Sequence, residues 1–262
     1  MILLLAFTAC EEVIEVDLPE TESRLVVDGL VRVPADSLNT KVTVRLTQAA
    51  GFFQDTVSTV ENAKVSVQLD DEQFELMYQQ NGCYGATIAT EKLKEHFAVL
   101  NILNDGENYV AQAEFVPSAP VSAEQGTKTL FSGEETEVIL TFTDIPNQEN
   151  YYFFDMDFGE FITSDDGFYQ GRQFSFSYFY EDLEPDTQIE INILGVDRVF
   201  FDYLNIILEQ SGQNAGGPFS SPPVQLRGNI RNIDNPDNYA LGYFAIAEIY
   251  STTILIEDPL PN

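Results

Sequence analysis

The residue best placed for chemistry is Cys10, which ends an apolar leader. Residues 2–7 are almost wholly apolar, and two small residues stand directly before the cysteine. This order is typical of a bacterial lipobox, where a signal peptidase cuts before the cysteine and acyl chains join its sulfur and its new amine. The sequence therefore predicts a signal peptide over residues 1–9 and a lipid-modified Cys10. Since no Lys or Arg precedes Cys10, we expect the native chain to start upstream of Met1.

No other set of residues in the sequence points to catalysis. His96 is the only histidine, so a site with several histidine ligands is excluded. A Ser-His-Asp triad would have to use His96, yet no Gly-x-Ser-x-Gly elbow carries a serine. Paired carboxylates are frequent because the whole chain is acidic, so they do not indicate a glycosidase. We expect a non-enzymatic protein, with a hydrolase built on two acidic residues as the least favoured alternative.

Four aspartates lie in turns whose oxygen atoms suit a hard cation. Asp165 and Asp166 precede a glycine, and Asp234 and Asp237 flank an asparagine and a proline. Neither turn has the alternating acidic spacing of an EF-hand loop, and Asx residues form turns without any metal. We therefore expect no cofactor, with Ca²⁺ at these aspartates as the alternative left open.

Tyrosine rings are the candidates for ligand binding, because exposed aromatic rings stack on the faces of sugars. Tyr169, Tyr178 and Tyr180 are the residues considered, together with Tyr151. The chain has no Trp, which argues against a dedicated carbohydrate platform, and alternating Phe and Tyr along a strand more often belong to a core. Both interpretations stay open from the sequence.

Composition and charge limit the class of protein. Lys and Arg number 12 against 43 Asp and Glu, a formal charge of −31, and such a field repels nucleic acid and anionic lipid head groups. Hydrophobic residues make up 44% of the chain, which excludes disorder as its general state. No later apolar run is long enough to span a bilayer. With Cys10 acylated, Cys83 has no disulfide partner and is expected to be a small buried hydrophobe.

The elements that must position these residues are mostly β-strands, and we expect two β-sandwich-like domains. Apolar and polar residues alternate in short runs through residues 24–117, which predicts an immunoglobulin-like or transthyretin-like sandwich. Asn81-Gly82 predicts a two-residue hairpin turn. The prolines at 117 and 120 indicate a stiff linker.

Residues 121–258 form the predicted second domain, a β-sandwich or a partly open barrel with one helix. The aromatic run 151–158 predicts a strand buried on both faces, and the end of the chain predicts two strands, around 242–249 and 252–256. Between the aromatic run and these two strands, the spacing of apolar residues lengthens to three or four residues. This spacing predicts a helix near 197–211 with Asp197 as its N-cap.

Residues 10–23 read as an extended acidic tether between the lipid and the first strand. Glu11 and Glu12 directly follow the lipidated cysteine, and Pro19 interrupts the segment. This acidic cluster resembles the export signal that sends Bacteroidota lipoproteins to the outer leaflet of the outer membrane. The predicted location is therefore the outer membrane, with the protein anchored through Cys10 and facing the exterior.

Several motifs together resemble one protein family. They are Val16-Asp17-Leu18-Pro19, Leu25-Val26-Val27-Asp28-Gly29, Asn150-Tyr151-Tyr152, Tyr203-Leu204, Pro218-Phe219-Ser220-Ser221-Pro222-Pro223, Gly228-Asn229-Ile230 and Leu241-Gly242-Tyr243-Phe244. The set is similar to the Bacteroidota lipoproteins of domain-of-unknown-function family 4249. The resemblance implies a surface lipoprotein, often encoded beside a TonB-dependent outer-membrane transporter of the starch-utilisation type, and it brings no catalytic residue. From the residue type alone, Gly228 and Gly242 indicate sites of close backbone approach or a bulge.

Two functional hypotheses follow from these observations. The first is a non-enzymatic, surface-exposed lipoprotein that serves as an accessory or interaction subunit of an outer-membrane β-barrel complex, in particular a TonB-dependent transporter. The alternative is a glycan- or nutrient-binding lipoprotein that delivers its ligand to the transporter.

Overall fold

The structure, a computed structural model, describes residues 23–49, 57–129, 135–181, 183–211 and 226–257. Cys10, Glu11 and Glu12, the predicted signal peptide and the proline-rich loop 216–223 lie outside the described residues. Within the described ranges the chain is mostly β, which confirms the predicted fold class.

The first half of the chain contains eight described strands and one short helix. They are β1 (Leu25–Pro34), β2 (Asn39–Gln48), β3 (Lys64–Leu69), β4 (Glu72–Gln80), β5 (Cys83–Ala89), α1 (Thr90–Glu95), β6 (Ala98–Asn104), β7 (Glu107–Ala113) and β8 (Phe115–Val116). The second half contains eight more described strands and a longer helix. They are β9 (Val121–Gln125), β10 (Thr136–Thr143), β11 (Tyr151–Asp155), β12 (Phe161–Asp165), β13 (Gln173–Tyr180), β14 (Gln188–Val196), α2 (Arg198–Ser211), β15 (Arg231–Asn232) and β16 (Leu241–Leu255).

Period-two patterning folds the first half into a β-sandwich. Along β1, every second residue from Leu25 to Val33 is buried, whereas those between are exposed or half-buried, as a strand with one face on a core requires. β1, β2 and β5 form one layer, and β3, β6 and β7 form the other. β4 crosses from one layer to the other, because its first residues pair with β3 and its last residues pair with β5. One apolar core draws side chains from both layers.

Three local features of the first half can be compared with the sequence predictions. Asn81 and Gly82 have φ values of 52° and 76°, the left-handed pair that a type I′ hairpin turn needs, so the predicted turn is confirmed. The segment before His96 forms α1, a short helix that the sequence analysis does not predict. Thr90 and Leu93 are the buried residues of this short helix. Cys83 is half-buried at the start of β5 rather than fully buried.

β16 connects the two halves and corrects one prediction. It is a single strand of 15 residues, not two strands around 242–249 and 252–256. Its first part runs parallel to β1, and its last part runs antiparallel to β14, with Ile249 paired to both neighbours. The hydrogen-bond partner therefore changes where the sequence pattern breaks, while the strand itself continues.

The second half is also a sandwich, with no closed barrel among the described residues. The layer β12–β11–β14–β16 packs against the three-stranded layer β13–β10–β9, and the core between them is rich in aromatic rings. β11 is buried on both faces, as predicted, since Tyr152 and Phe154 join this core and Phe153 joins the opposite one. The predicted strand ends early, at Asp155, so Phe158 lies in a turn.

Helix α2 confirms the predicted helix and its cap. The Asp197 side chain accepts the backbone N–H of Phe200 at 2.8 Å, which satisfies one of the free donors at a helix start. Its buried face, including Phe200 and the half-buried Tyr203, packs on Tyr243 of β16. Neither helix in the described ranges has the length and apolar character needed to cross a membrane.

The boundary between two domains at residues 117–121 stays a prediction. Each half has its own core, yet polar contacts also join them. Glu248 of β16 accepts Lys94 of the first half at 2.7 Å and the backbone N–H of Ser118 at 3.0 Å. Arg32 reaches Asp155 at 3.0 Å.

Candidate functional site

Tyr178 and Tyr180, two of the predicted ligand-binding residues, lie at one cleft at the end of β13. The cleft has a volume of about 640 Å³, within the usual range for sites of small ligands. Its lining, called the aromatic cleft from here on, consists of Phe158, Glu160, Tyr178, Phe179, Tyr180, Glu181, Leu183, Glu184 and Thr187.

Three rings form one wall of the aromatic cleft. The Tyr178 and Tyr180 rings meet edge to face with centroids 4.7 Å apart, and the Phe158 ring stands 6.3 Å from Tyr180. Tyr180 is buried and donates its hydroxyl to the carbonyl of Met156 at 2.7 Å. Phe158 is 58% exposed. Tyr180 thus supports the wall from behind, while Phe158 and the half-buried Tyr178 can contact a ligand.

Phe158 is held outward by a turn of unusual backbone geometry. Asp157, Phe158 and Gly159 have successive φ values of 65°, 52° and 80°. A bulky residue in the left-handed region costs about 1 kcal/mol, so the turn needs support. The Asp157 carboxylate supplies it, because it accepts the N–H of Phe158 at 2.8 Å and that of Glu190 at 3.0 Å.

The charge of the aromatic cleft has a single sign. Glu160, Glu181 and Glu184 belong to the lining, and no Lys, Arg or His stands among its described residues. The Tyr178 hydroxyl donates to Glu160 at 3.1 Å. Burial, together with the nearby negative charge of Glu160, raises the pKa of Tyr178 to about 12. Tyr178 therefore stays a neutral hydrogen-bond donor to that carboxylate at physiological pH.

Asp165 and Asp166 lie at a different pocket, beside the start of α2. This pocket of about 380 Å³ also receives Tyr151, Arg198 and Phe201. Both carboxylates already serve the turn. Asp165 accepts the N–H of Gly167 at 3.0 Å, and the buried Asp166 accepts the backbone N–H of Asn150 at 3.0 Å.

Tyr169 does not join either site. It is buried, its ring stacks on Phe174 with centroids 4.3 Å apart, and its hydroxyl lies 2.8 Å from that of Ser164. Burial raises the pKa of Tyr169 to about 12. Tyr169 therefore has the geometry of a core residue.

Asp234 and Asp237 lie in the loop after β15, apart from the other two aspartates. The Asp234 carboxylate accepts both the backbone N–H and the side-chain amide of Asn108, at 2.7 and 2.8 Å. In the described part of the chain, no group of three or more His, Cys, Asp or Glu side chains is arranged to hold a metal. Whether Ca²⁺ binds at these turns stays a prediction.

His96, the single histidine, forms a surface contact. Its Nδ1 lies 2.7 Å from the carboxylate of Asp70, in the turn between β3 and β4. This contact ties the end of α1 to that turn.

A second surface feature escaped the sequence analysis. Met77, Leu103 and Ile233 are 66%, 36% and 61% exposed, although all three are large and apolar. They lie together with the half-buried Val110 on the outer layer of the first sandwich, around a groove of about 560 Å³. We call these four residues the docking face. Only the strand register shows that they are neighbours, since they come from β4, β6, β7 and the segment after β15.

Two glycines of the sequence motifs allow close backbone contacts at the start of the seam between β1 and β16. A Cβ on Gly228 would stand 1.6 Å from the carbonyl oxygen of Gly242, and one on Gly242 would stand 1.9 Å from that of Val27. The Asn229 side chain bonds both the N–H and the carbonyl of Phe244, at 2.9 and 2.8 Å. The predicted close backbone approach is confirmed, and these motif residues maintain the fold.

One comparison with known proteins covers nearly the whole chain. The family model described as "Domain of unknown function (DUF4249)" matches residues 11–253. No curated protein matches the sequence.

Proposed function

Because the chain belongs to the DUF4249 family, whose description assigns no activity, we propose a function from the surfaces of the protein itself. It is a non-enzymatic, surface-exposed lipoprotein that serves as an interaction subunit of an outer-membrane β-barrel complex. The partner is an outer-membrane barrel of the TonB-dependent transporter kind, and the acylated Cys10 holds the protein beside it.

The docking face is the observation that carries this proposal. Large apolar side chains that cluster on a surface typically mark a contact with a protein or a membrane. Here Met77, Leu103 and Ile233 share the groove with the exposed Lys64 and Glu75, and protein interfaces likewise combine an apolar centre with polar residues. The formal charge of −31 favours a protein surface over anionic lipid head groups as the occupant.

The predicted tether is long enough to let this face reach a barrel. Residues 10–23 span at most about 50 Å when fully extended. Two or more acyl chains hold far more firmly than the single chain that gives only marginal binding. The lipid would therefore keep the local concentration of the protein high while the docking face makes the specific contact.

Copurification from detergent-solubilised outer membrane tests the proposal. The wild-type chain is expected to elute with a β-barrel protein without any crosslinker, and the pair Met77→Ser and Ile233→Ser is expected to lose it. Leu255→Ser is the matched control, because Leu255 is 54% exposed but lies in the second half. Elution of the wild-type chain alone, or equal recovery of the barrel with both variants, would contradict the proposal.

The aromatic cleft favours the second candidate function, a lipoprotein that binds a glycan or another nutrient and delivers it to the transporter. Its volume and its exposed Phe158 ring suit a small ligand. Calorimetry against a polysaccharide series separates the two functions. Heats that vanish in a Phe158→Gly variant would support delivery of a glycan, and flat heats throughout would exclude a glycan as the ligand of the cleft.

A further inference from the structure

We infer that the aromatic cleft binds an organic cation, a linear amine with an apolar carbon chain, in preference to a neutral glycan. The inference deepens the ligand-delivery proposal by naming the chemical class of the ligand. It depends neither on the docking face nor on the lipid anchor.

The hydrogen-bonding groups of the cleft are the first argument. Three lining side chains carry hydroxyl donors, and each of them already donates within the protein. Tyr178 donates to Glu160, Tyr180 donates to the carbonyl of Met156, and Thr187 donates to the carbonyl of Glu184 at 2.6 Å. The described lining holds no Asn, Gln, Arg, Lys or His. The side chains of the described lining therefore offer a ligand acceptors rather than free donors, whereas a sugar hydroxyl both donates and accepts. An ammonium group is a pure donor.

Charge is the second argument. Glu160, Glu181 and Glu184 line one cleft without a basic neighbour among its described residues. A cleft lined by one sign of charge, with an apolar wall, focuses the field and concentrates ions of the opposite sign. A neutral sugar gains nothing from this field. A bound cation supplies the positive charge that the described lining of the cleft lacks.

The aromatic wall selects among cations. A cation over a ring face is attracted by the ring quadrupole, and the carbon chain of an organic amine covers apolar surface that a hydrated metal ion would leave exposed. Phe158 presents its ring to solvent despite a φ of 52°. Strained backbone conformations often occur at functional sites. The ring and the carboxylates thus favour the same ligand, one with both a charge and an apolar body.

Isothermal calorimetry on the full chain in detergent tests the inference, with spermidine as the amine and maltoheptaose as the neutral glycan. We expect spermidine to bind at one site and its affinity to fall as salt is raised. The Glu181→Gln and Glu184→Gln pair is expected to weaken binding about tenfold, and Phe158→Gly is expected to weaken it about fivefold. Glycine accepts the left-handed backbone at 158, so this variant keeps the turn.

Two control variants separate the site from the general acidity of the chain. Glu209→Gln removes one exposed carboxylate from α2, and Phe168→Gly removes a ring that is 92% exposed in another loop. Neither should change spermidine affinity. If Glu209→Gln weakens binding as much as the cleft pair, or if Mg²⁺ displaces spermidine at equal charge, the attraction is non-specific and the inference is wrong. Binding of maltoheptaose that depends on Phe158 would also overturn it, while leaving ligand delivery standing.

Discussion

Replacing Gly242 of β16 by alanine is expected to destabilise the protein strongly. Gly242 has a φ of 95° and lies where β16 begins to pair with β1. Two costs arise. The first is the left-handed backbone, about 1 kcal/mol for a residue with a Cβ. The second is a collision, because the new Cβ would stand 1.9 Å from the carbonyl oxygen of Val27.

The collision can be given a magnitude from the geometry. Real Cβ atoms essentially never come closer than 3.0 Å to such an atom, so β1 and β16 would have to separate by about 1 Å in a close-packed interior. Overpacking of this kind costs about 1–3 kcal/mol, and each hydrogen bond lost along the seam adds about 1 kcal/mol. We expect Gly242→Ala to lower the free energy of unfolding by about 4 kcal/mol in total.

Gly106→Ala is the matched control, because it separates the two costs. Gly106 has a φ of 82°, and a Cβ there would meet no atom within 4 Å, so only the backbone cost of about 1 kcal/mol remains. Urea unfolding followed by far-UV circular dichroism and tyrosine fluorescence measures both variants. If Gly242→Ala costs no more than Gly106→Ala, the close approach of β1 and β16 is not as described.

Three further changes test the buried polar contacts and the titrating groups. Tyr152→Phe removes the 2.6 Å hydrogen bond to the buried carboxylate of Asp144 and should cost about 2 kcal/mol in urea unfolding; no loss would mean that Asp144 is satisfied without it. Hydrogen bonds, first from Tyr109 and then from neighbouring asparagines, lower the pKa of Glu107 below 4.5, so its stabilisation is present above that pH and is lost as the pH falls through the folded pKa. Glu107→Gln should therefore destabilise the protein near neutral pH and lose this disadvantage as the pH falls from 4.5 through the lowered folded pKa, and a constant difference would refute the assignment. Since the pKa of Tyr178 is raised from 10.0 to about 12, its stabilising contribution is complete below pH 10 and disappears as the pH rises towards 12, so absorbance titration should detect a late-ionising tyrosine that Tyr178→Phe removes.

The strands and the longer helix could be predicted because their signals are local. Alternation defines β1, and the aspartate before α2 marks its start, so short windows of sequence contain the information. The glycine at 242 could be interpreted as a close approach for the same reason, because a residue without a Cβ at the edge of an apolar run needs a spatial explanation.

The single long strand β16 could not be predicted, because a change of hydrogen-bond partner within one strand breaks the residue pattern in the same way as the end of a strand does. Its pattern breaks near Ile249, where β1 ends as its neighbour and β14 begins. The position of Phe158 was missed for a related reason. The aromatic run extends past the end of β11, and the left-handed backbone of Asp157, Phe158 and Gly159 turns the chain there.

The candidate sites depended on pairing that the sequence does not encode locally. Tyr178 and Tyr180 could be named from their alternation, and Glu181 and Glu184 follow them directly, but Glu160 comes from the distant connection between β11 and β12. Met77, Leu103 and Ile233 read as ordinary apolar residues on separate strands. Their exposure follows from the register of the outer layer, in which Lys64 lies opposite Leu103 and Asn232 lies opposite Tyr109.

Photocrosslinking in intact cells tests the central proposal most directly, because it reads the contact at a chosen residue. A photoreactive amino acid at position 233 should join the lipid-anchored protein to an outer-membrane β-barrel protein, and the same group at position 255 should not. Mass spectrometry of the product identifies the barrel and, in the same sample, the acylated Cys10. Equal crosslinking from both positions, or none from position 233 in a correctly anchored protein, would contradict the account.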